Sequence, residues 1–297
     1  MSFKSLALAE PILRVLAEQG YATPTPVQMQ SIPVILSGKD VLAGAQTGTG
    51  KTAAFTLPLL QQMLNAPKVV APNQVRVLVL TPTRELAQQV YDNVRKYSQY
   101  LNLRSAVFYG GVSIRPQYDE VALGLDILVA TPGRLIDHLH QKTVDLSALE
   151  VLVLDEADRM LEMGFQPALD AIMAYAPNDR QTLLFSATYP KQIQAMAERL
   201  MKTPELIQVE SSHNNLSISQ HFFKIASNAE RLQAVQLLLL KHRPVSSVVF
   251  CNTRKETQEV ADALDDAGFS VLALHGDLEQ RDRDQTLVRF ASKSVSV

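Results

Sequence analysis

The chain has 297 residues, of which 46% are hydrophobic and 20% charged, so it can bury a substantial core. This composition excludes a disordered, collagen-like or coiled-coil chain, and the length predicts one large domain or two. The formal net charge of −2 provides no global attraction for nucleic acid, so any phosphate binding must be local.

The single cysteine, Cys251, excludes an intramolecular disulfide and a cysteine-rich zinc site, and it fits a reducing compartment. No apolar run approaches the roughly 20 residues of a membrane span. The amino-terminal sequence MSFKSLALAEP also lacks the apolar region of a signal peptide. We therefore expect a cytoplasmic protein.

Short apolar segments rich in Val, Ile and Leu alternate with helical patterns over residues 1–209. Because strands covered on both faces lack polar alternation, this pattern predicts an α/β domain with a parallel sheet between two helical layers. Helices are expected to begin at turn or capping residues, at Thr52, Thr83, Pro132 and Pro190. The predicted strands are 41–44, 75–80, 105–109, 125–130, 150–154, 181–185 and 206–209.

A polar stretch rich in Ser and Asn, residues 210–220, predicts a linker after this domain. Residues 221–297 then repeat the alternation and predict a second, partial α/β domain. LVLTPTRELAQQV (78–90) and VVFCNTRKETQEV (248–260) share a strand, a Thr-Arg pair and a helix at an offset of 170 residues. This echo favours two similar domains, with coincidence as the alternative. The elements predicted there are strands near 221–226, 246–251 and 269–274 and helices at 229–241, 254–267 and 278–290.

AQTGTGKT, residues 45–52, follows the predicted strand VLAG and opens a helix, the context of a phosphate-binding loop. Gly48 and Gly50 allow backbone N–H groups to turn toward phosphates at a helix amino terminus. Lys51 can reach the β- and γ-phosphate oxygens, and Thr52 can ligate Mg²⁺. Ala45 stands where the generic motif has Gly, so the strict pattern fails at that position.

An apolar strand ending at Leu154 delivers Asp155 and Glu156 to the sheet edge where open α/β folds bind ligands. Asp155 is placed to hold Mg²⁺, largely through water, and Glu156 to position or deprotonate an attacking water. Acidic residues that follow a strand more often belong to a solvated turn. The GKT segment on an earlier strand makes a catalytic role the favoured interpretation here.

These segments resemble the DEAD-box family of ATP-dependent RNA helicases, and in particular its bacterial RhlE-like members. The resemblance covers nearly the whole chain and implies a RecA-like P-loop domain followed by an incomplete second RecA-like domain. The segments that carry it are GYATPTPVQ (20–28), AQTGTGKT (45–52), PTRELA (82–87), Gly110-Gly111, TPGR (131–134), DEADRMLEMGF (155–165), SAT (186–188), VVFCNT (248–253) and HGDLEQRDR (275–283).

The resemblance implies ATP and Mg²⁺ as cofactors and RNA as partner, single-stranded or a short duplex, bound independently of sequence. Ribosome-assembly or RNA-decay partners would also fit. Gln28 would read the adenine edge, with Phe3 and Tyr21 beside the base. The rest of the nucleotide site would be the phosphate loop, Ala45, Gln46, Thr47, Gly48, Thr49, Gly50, Lys51 and Thr52.

The same resemblance implies coupling of nucleotide state to domain closure by Ser186 and Thr188, through hydrogen bonds to Asp158. Taken singly, the residues implied to face RNA are typical of ordinary turns and helix surfaces. Cys251 and His275 are interpreted as structural. The implied RNA-facing residues are Pro82, Arg84, Gly111, Thr131, Gly133, Arg134, Asn252, Thr253, Arg254, Gly276, Gln280 and Arg283.

Two segments that the family carries further along, of the ATDxAARG and HRxGRxGR types, are not in this sequence. We therefore expect a fragment of a longer helicase, with an open-edged second domain and severely weakened hydrolysis. The favoured function is an RNA-dependent ATPase and helicase. The alternatives are a catalytically weak ATP- and RNA-binding module and, less favoured, a DNA translocase.

Overall fold

The computed structural model describes residues 2–46, 48–188, 191–209, 218–227 and 230–297. The chain divides into two compact units, Met1–Ser212 and His213–Val297. This division falls inside the predicted linker, residues 210–220, most of which lies outside the described residues.

The first unit is built on a seven-stranded sheet of order β3-β4-β2-β5-β6-β1-β7, with parallel pairing throughout. All seven strands predicted in this unit are confirmed, with ends that shift by one residue at most. Their bounds are β1 Val41–Gly44, β2 Val75–Leu80, β3 Ser105–Phe108, β4 Leu125–Ala130, β5 Val151–Asp155, β6 Gln181–Ser186 and β7 Glu205–Gln208.

Helices cover both faces of this sheet, as predicted. A 3₁₀ turn, Phe3–Leu6, precedes α1 Glu10–Glu18, α2 Pro26–Leu36, α3 Lys51–Asn65, α4 Arg84–Tyr97, α5 Arg115–Val121, α6 Pro132–His140, α7 Ala157–Glu162, α8 Gln166–Met173 and α9 Lys191–Leu200.

Successive residues of the central strands point to opposite faces and enter two separate cores. In β2, Val77 and Val79 join the cluster that contains Phe55 of α3, whereas Leu78 and Leu80 join the other. The second cluster packs under α6, α8 and α9. Because β2 is buried along its whole length, its sequence VRVLVL is almost continuously apolar.

The second unit contains α10 Arg231–His242, α11 Arg254–Asp266 and α12 Gln280–Ala291, close to the predicted helices. The strands predicted near 221–226, 246–251 and 269–274 are wrong as regular elements, since the described residues of this unit form no strand. The physical reason is that 246–251 and 269–274 do not pair directly. Hydrogen bonds join both segments to residues 295–297 instead.

Candidate functional site

A cleft of about 380 Å³ opens at the carboxyl edge of the first unit's sheet, beside the phosphate loop and the end of β5. Gly48 and Gly50 have φ angles of 83° and 90°, in the left-handed region that glycine adopts without strain. Nine of the predicted residues line this one cleft: Phe3, Tyr21, Gln28, Gly48, Gly50, Lys51, Thr52, Asp155 and Glu156.

The remaining loop residues have other positions. Ala45 is buried and donates its N–H to the carbonyl of Ser186 at 3.1 Å, while Thr49 donates its hydroxyl to the Gln46 carbonyl at 2.7 Å. Ala45, Gln46 and Thr49 are not among the residues that line the cleft. Thr47 lies outside the described residues.

Gln28 of α2 ties the amino-terminal segment to the phosphate loop. Its Nε2 donates to the carbonyl of Gly50 at 3.1 Å, and its Oε1 accepts from the N–H of Thr25 at 3.0 Å. A Cβ at Gly50 would overlap Gln28 Nε2, so this glycine is needed for space as well as for its φ angle. A glutamine amide has two N–H groups and two acceptor lone pairs, so these bonds leave one of each for a ligand.

Two oppositely charged groups in the lining of the cleft are buried. Lys51 is 6% exposed and Asp155 is 2% exposed, and neither Lys51 Nζ nor Asp155 Oδ1 has a hydrogen-bond partner among the described residues. Burial raises the pKa of Asp155 to about 6; the Lys51 ammonium opposes this shift, and the neighbouring Glu156 carboxylate adds to it. Since buried polar groups are normally paired, this arrangement fits a charged ligand that satisfies both.

Glu156 has an uncommon backbone conformation for a residue with a side chain, φ 53° and ψ 51°. It lies directly between β5 and α7, so the chain must turn sharply there. Such left-handed residues cost free energy and are concentrated at functional sites. The turn brings Glu156 into the lining of the cleft beside Asp155.

Asp158 connects the end of β5 with the segment that follows β6. Its Oδ2 accepts from the N–H of Thr188 at 3.0 Å and from the Thr188 hydroxyl at 2.9 Å. The expected bond from Ser186 to Asp158 is absent, because the Ser186 hydroxyl donates to the carbonyl of Thr188 at 2.7 Å. Ser186 therefore shapes the segment that carries Thr188, and Thr188 makes the contact.

The residues predicted to face RNA in the first unit gather at the ends of three adjacent strands. Pro82 and Arg84 follow β2, Gly111 follows β3, and TPGR (131–134) follows β4. A Cβ at Gly111 would overlap the guanidinium of Arg84, so this arginine lies directly over the glycine. Gly133 has open space around it.

Arg134 is held by two hydrogen bonds that sequence analysis did not anticipate. It donates through Nη1 to Gln117 Oε1 and through Nη2 to the Val112 carbonyl, both at 2.8 Å. Gln117 Oε1 also lies 2.9 Å from Nε2 of the fully buried His138. Burial lowers the pKa of Arg134, with Asp137 opposing and Arg84 adding to the shift. No local sequence pattern marks Gln117 as a support for Arg134.

In the second unit, Thr253, Arg254 and Gly276 are brought together. Thr253 caps α11 by accepting from the N–H of Glu256 at 3.1 Å, and Arg254 pairs with Asp277. Guanidinium atoms of Arg254 lie 3.4 to 3.6 Å from where a Cβ of Gly276 would be.

The remaining predicted residues of the second unit flank this group. Asn252 precedes the cap and donates its N–H to Glu256 at 3.1 Å. Gln280 and Arg283 lie in the first turn of α12, where Gln280 Nε2 donates to Asp284 at 3.0 Å. His275 Nε2 lies 3.1 Å from Gln258 Oε1.

The cleft also includes residues that sequence analysis missed. Gln89, Asn93 and Tyr97 of α4 line it, at four-residue spacing on one helix face. That spacing is the available signal, since residues four apart on a helix share a face. Among the described residues, no group of three His, Cys, Asp or Glu side chains could hold a metal ion by itself.

Comparison with known proteins gives the family. Residues 25–196 match the DEAD/DEAH box helicase model, and residues 230–297 match the helicase conserved C-terminal domain. The chain belongs to the DEAD/DEAH box helicase family. Over its whole length it is 49% identical to the Escherichia coli ATP-dependent RNA helicase DbpA and 43% identical to E. coli DeaD, of which it covers 64% and 46%. The chain thus spans about half to two thirds of the length of these relatives.

Two solved structures share the fold. A DEAD box protein from Methanococcus jannaschii is 36% identical, with a TM-score of 0.65 and 78% of that chain covered. Saccharomyces cerevisiae Dbp5, solved bound to RNA and ADP BeF3, is 27% identical, with a TM-score of 0.89 and 74% covered. Within the described part of this chain, the helices are all too short or too polar to cross a membrane.

Proposed function

We propose that the chain is the core of an ATP-dependent RNA helicase, in which RNA stimulates ATP hydrolysis and hydrolysis is coupled to unwinding or remodelling of RNA. The observation that carries this proposal is the buried pair formed by Lys51 and Asp155, whose Nζ and Oδ1 atoms find no partner among the described residues. Family membership and the names of the relatives support it.

The phosphate loop binds the triphosphate of ATP in this proposal. Gly48 and Gly50 turn the backbone N–H groups at the start of α3 toward the phosphates, and Lys51 neutralises their charge. Gln28, with one N–H and one lone pair still available, contacts the adenine edge. Phe3 and Tyr21, which line the same cleft, provide apolar surface for the base.

The donor set also fits Mg²⁺. Thr52 supplies a hydroxyl oxygen and Asp155 a carboxylate, and hard cations prefer such oxygen ligands. Asp155 Oδ1 is buried without a partner, which is the feature of this chain that suits a cation. When bound, Mg²⁺ would neutralise negative charge on the phosphate oxygens, and Asp155 would act as its ligand in the ionised form.

Glu156 serves as the residue that orients the attacking water and accepts its proton. It lies beside Asp155 in the lining of the cleft, at a left-handed turn between β5 and α7. The contact of Asp158 with Thr188 links this catalytic turn to the end of β6. We assign to that link the coupling between bound nucleotide and RNA.

RNA binds through its sugar-phosphate backbone in this proposal, at the ends of β2, β3 and β4 in the first unit. Arg84 and Arg134 supply charge there, and Gly111 and Gly133 allow close approach of the backbone. Thr253, Arg254 and Gly276 form the corresponding group in the second unit, which we assign to a partial second helicase domain, residues 221–297. Competition between matched RNA and DNA oligonucleotides tests this assignment, since only RNA offers 2′-hydroxyl groups.

Steady-state ATP turnover with and without single-stranded RNA tests the catalytic proposal. We expect RNA-stimulated turnover that Glu156→Gln abolishes while ATP still binds, because the amide cannot accept a proton. Glu162→Gln is the matched control, because Glu162 is an exposed glutamate at the end of α7, and it should leave turnover unchanged. ATP binding without turnover above the Glu156→Gln background would show that the chain is only a nucleotide- and RNA-binding module.

A further inference from the structure

His138 is a fully buried histidine that does not line the nucleotide cleft. It lies on α6 one turn after Arg134, so the two side chains share a face of that helix. Its ring stacks on Phe108 at the end of β3, with ring centroids 4.6 Å apart, and lies nearly perpendicular to the ring of Tyr118 at 5.6 Å. These aromatic contacts fix the plane of the imidazole, so its two nitrogens face fixed partners.

Both ring nitrogens of His138 have a hydrogen-bonding partner. Nε2 lies 2.9 Å from Gln117 Oε1, and Nδ1 lies 2.8 Å from the hydroxyl of Thr143. Gln117 Oε1 also accepts from Arg134 Nη1 at 2.8 Å, so the two side chains of α6 share one amide oxygen. A continuous network of hydrogen bonds therefore runs from Thr143 to Arg134. We call Gln117, His138 and Thr143 the Arg134 support.

The guanidinium at one end of this network determines where the hydrogens lie. A guanidinium only donates, so Gln117 must present its oxygen to Arg134. That oxygen accepts, so His138 Nε2 must carry a hydrogen, and a neutral imidazole then has its acceptor at Nδ1. The hydroxyl of Thr143 donates to Nδ1, because it lies 2.8 Å from this nitrogen and 3.2 Å from the carbonyl of His138. The network therefore has one arrangement of hydrogens while His138 is neutral.

Burial keeps His138 neutral. It lowers the pKa of the imidazole to about 4; the Arg134 guanidinium adds to this shift, and the Asp137 carboxylate opposes it. His138 is therefore uncharged at neutral pH and adds no positive charge beside Arg134. Its influence on the guanidinium is directional, through the hydrogen bond to Gln117.

The guanidinium of Arg134 is anchored at both terminal nitrogens. Nη1 donates to Gln117, and Nη2 donates to the carbonyl of Val112, both at 2.8 Å. These bonds use one N–H of each terminal nitrogen, so a second N–H on each is left for an anionic acceptor. A side chain that is already ordered loses less conformational freedom when it binds. The anchoring therefore prepares Arg134 to bind a phosphate.

We propose that the Arg134 support positions Arg134 for RNA: Gln117, His138 and Thr143 hold the guanidinium in the orientation in which it meets an RNA phosphate. This inference rests on the proposed function, which assigns Arg134 to the RNA backbone. His138 is fully buried and Gln117 is 6% exposed, so both act through Arg134. Loss of the support leaves the charge of Arg134 in place but frees its side chain. RNA binding should then weaken while the number of phosphate contacts stays the same.

Anisotropy of a fluorescein-labelled oligouridylate tests the proposal, with ADP, beryllium fluoride and Mg²⁺ present and at several salt concentrations. Gln117→Met removes the shared acceptor and His138→Phe removes the donor to it. Each should weaken binding about fivefold, because ordering a free side chain costs about two- to tenfold in affinity. Arg134→Met should weaken binding more strongly and reduce the slope of log affinity against log salt by about 0.7, the value for one phosphate contact on a single strand. The two support variants should leave that slope unchanged.

A double variant separates positioning from a general loss of structure. In the Arg134→Met background, His138→Phe should have no further effect on RNA affinity, because the group that His138 positions is gone. His140→Phe is the matched control, since His140 is an exposed histidine of the same helix, and it should bind RNA as the unmodified chain does. Circular dichroism checks that each variant is folded.

Nitrogen-15 NMR of the imidazole in the unmodified chain needs no variant. It should show His138 at neutral pH as the neutral tautomer with its hydrogen on Nε2, with or without RNA. A hydrogen on Nδ1, or a charged ring, would exclude the proposed network.

Two further results would overturn the proposal, and they are distinguishable from failure of the proposed function. Unchanged RNA affinity in Gln117→Met and His138→Phe, or an added loss from His138→Phe in the Arg134→Met background, would exclude positioning while the RNA site itself stands. No RNA binding by the unmodified chain, with the Nε2 tautomer in place, would instead overturn the assignment of RNA to Arg134, and the positioning role with it.

Discussion

The two units carry the same local step, a strand-forming segment followed by Thr-Arg and a helix, yet only one of them forms the strand. In the first unit, residues 75–80 pair with β4 on one side and β5 on the other. In the second unit, residues 248–251 have the same apolar character but no paired backbone among the described residues. Strand propensity alone therefore does not make a parallel strand, because the neighbours of such a strand come from distant parts of the chain.

Burial follows the same division. The first unit has two large cores, whereas the only buried apolar residues among the described part of the second unit are Ala261, Leu264 and Val295. Phe222 and Phe250 are each more than 90% exposed. Apolar burial is the main favourable contribution to folding, so we expect the second unit to be much less stable than the first.

Hydrogen exchange in the free chain should give the largest contrast between the units. Amides of β2 and β5, such as Leu78 and Val153, are expected to exchange only through global unfolding, with protection of at least about 10⁴. Amides of Val249 and Ala273 should exchange within about tenfold of the rate in an unfolded chain. Comparable protection in the two sets of amides would contradict the expected difference between the units and show that the backbone of the second unit is fully paired in solution.

Glycine substitutions beneath the two arginines should give the next largest difference. Gly111→Ala meets both a φ angle of 80° and the guanidinium of Arg84, so we expect about 2 kcal/mol of destabilisation and RNA binding weakened about tenfold. Gly276→Ala is the matched change, since the Arg254 atoms lie 3.4 Å or more from the new Cβ. It should alter stability by less than about 0.5 kcal/mol.

Denaturant titrations and RNA anisotropy measure these two effects. An equal loss in both variants would mean that the arginine of the second unit lies as tightly on its glycine as Arg84 does on Gly111.

Titration of Asp155 should make the stability of the first unit depend on pH. Its folded pKa, about 6, lies above the ordinary value of 3.8, so the fold favours the protonated form. The stabilisation that Asp155 contributes to the folded state is fully present below about pH 4 and is lost as the pH rises through 6. Relative to Asp155→Asn, which does not titrate, the unmodified chain should lose a little over 1 kcal/mol between pH 5 and pH 7.5.

Thermal or urea unfolding of the two proteins at several pH values checks this expectation. A difference that does not change with pH would show that Asp155 is ionised throughout this range. Added ATP and Mg²⁺ should abolish the pH dependence of the difference, because a ligand that binds the carboxylate keeps it ionised.

The sequence was sufficient to predict the first unit because its strands are long, apolar and bounded by turn residues, as in β2 and β4. Part of the lining of the cleft was also predictable, since Gly48, Lys51, Asp155 and Glu156 all lie there. What the sequence did not reveal are two contacts between separate segments, the bonds of Gln28 to Gly50 and of Arg134 to Gln117, and one local bond, of Ser186 to Thr188. The first two depend on which segments become neighbours in the folded sheet and its helices, and the third depends on the backbone path after β6.

Loss of a helix cap should have the smallest effect on stability, and its consequences should differ between the two units. Thr83 accepts from the N–H of Leu86 at 3.2 Å at the start of α4, and Thr253 accepts from Glu256 at 3.1 Å at the start of α11. Replacing either by Ala removes one cap, at a cost of about 1 kcal/mol. In the first unit this loss should appear in global unfolding, since α4 packs into a large core.

In the second unit the loss should instead be local. Thr253→Ala is expected to speed exchange of α11 amides such as Val260 about fivefold, while the denaturation midpoint of the first unit stays constant. Thr83→Ser and Thr253→Ser keep the accepting oxygen and should behave nearly as the unmodified chain. If Thr253→Ala shifted the main denaturation midpoint as much as Thr83→Ala, the two units would unfold together, and the stability difference inferred from their cores would be wrong.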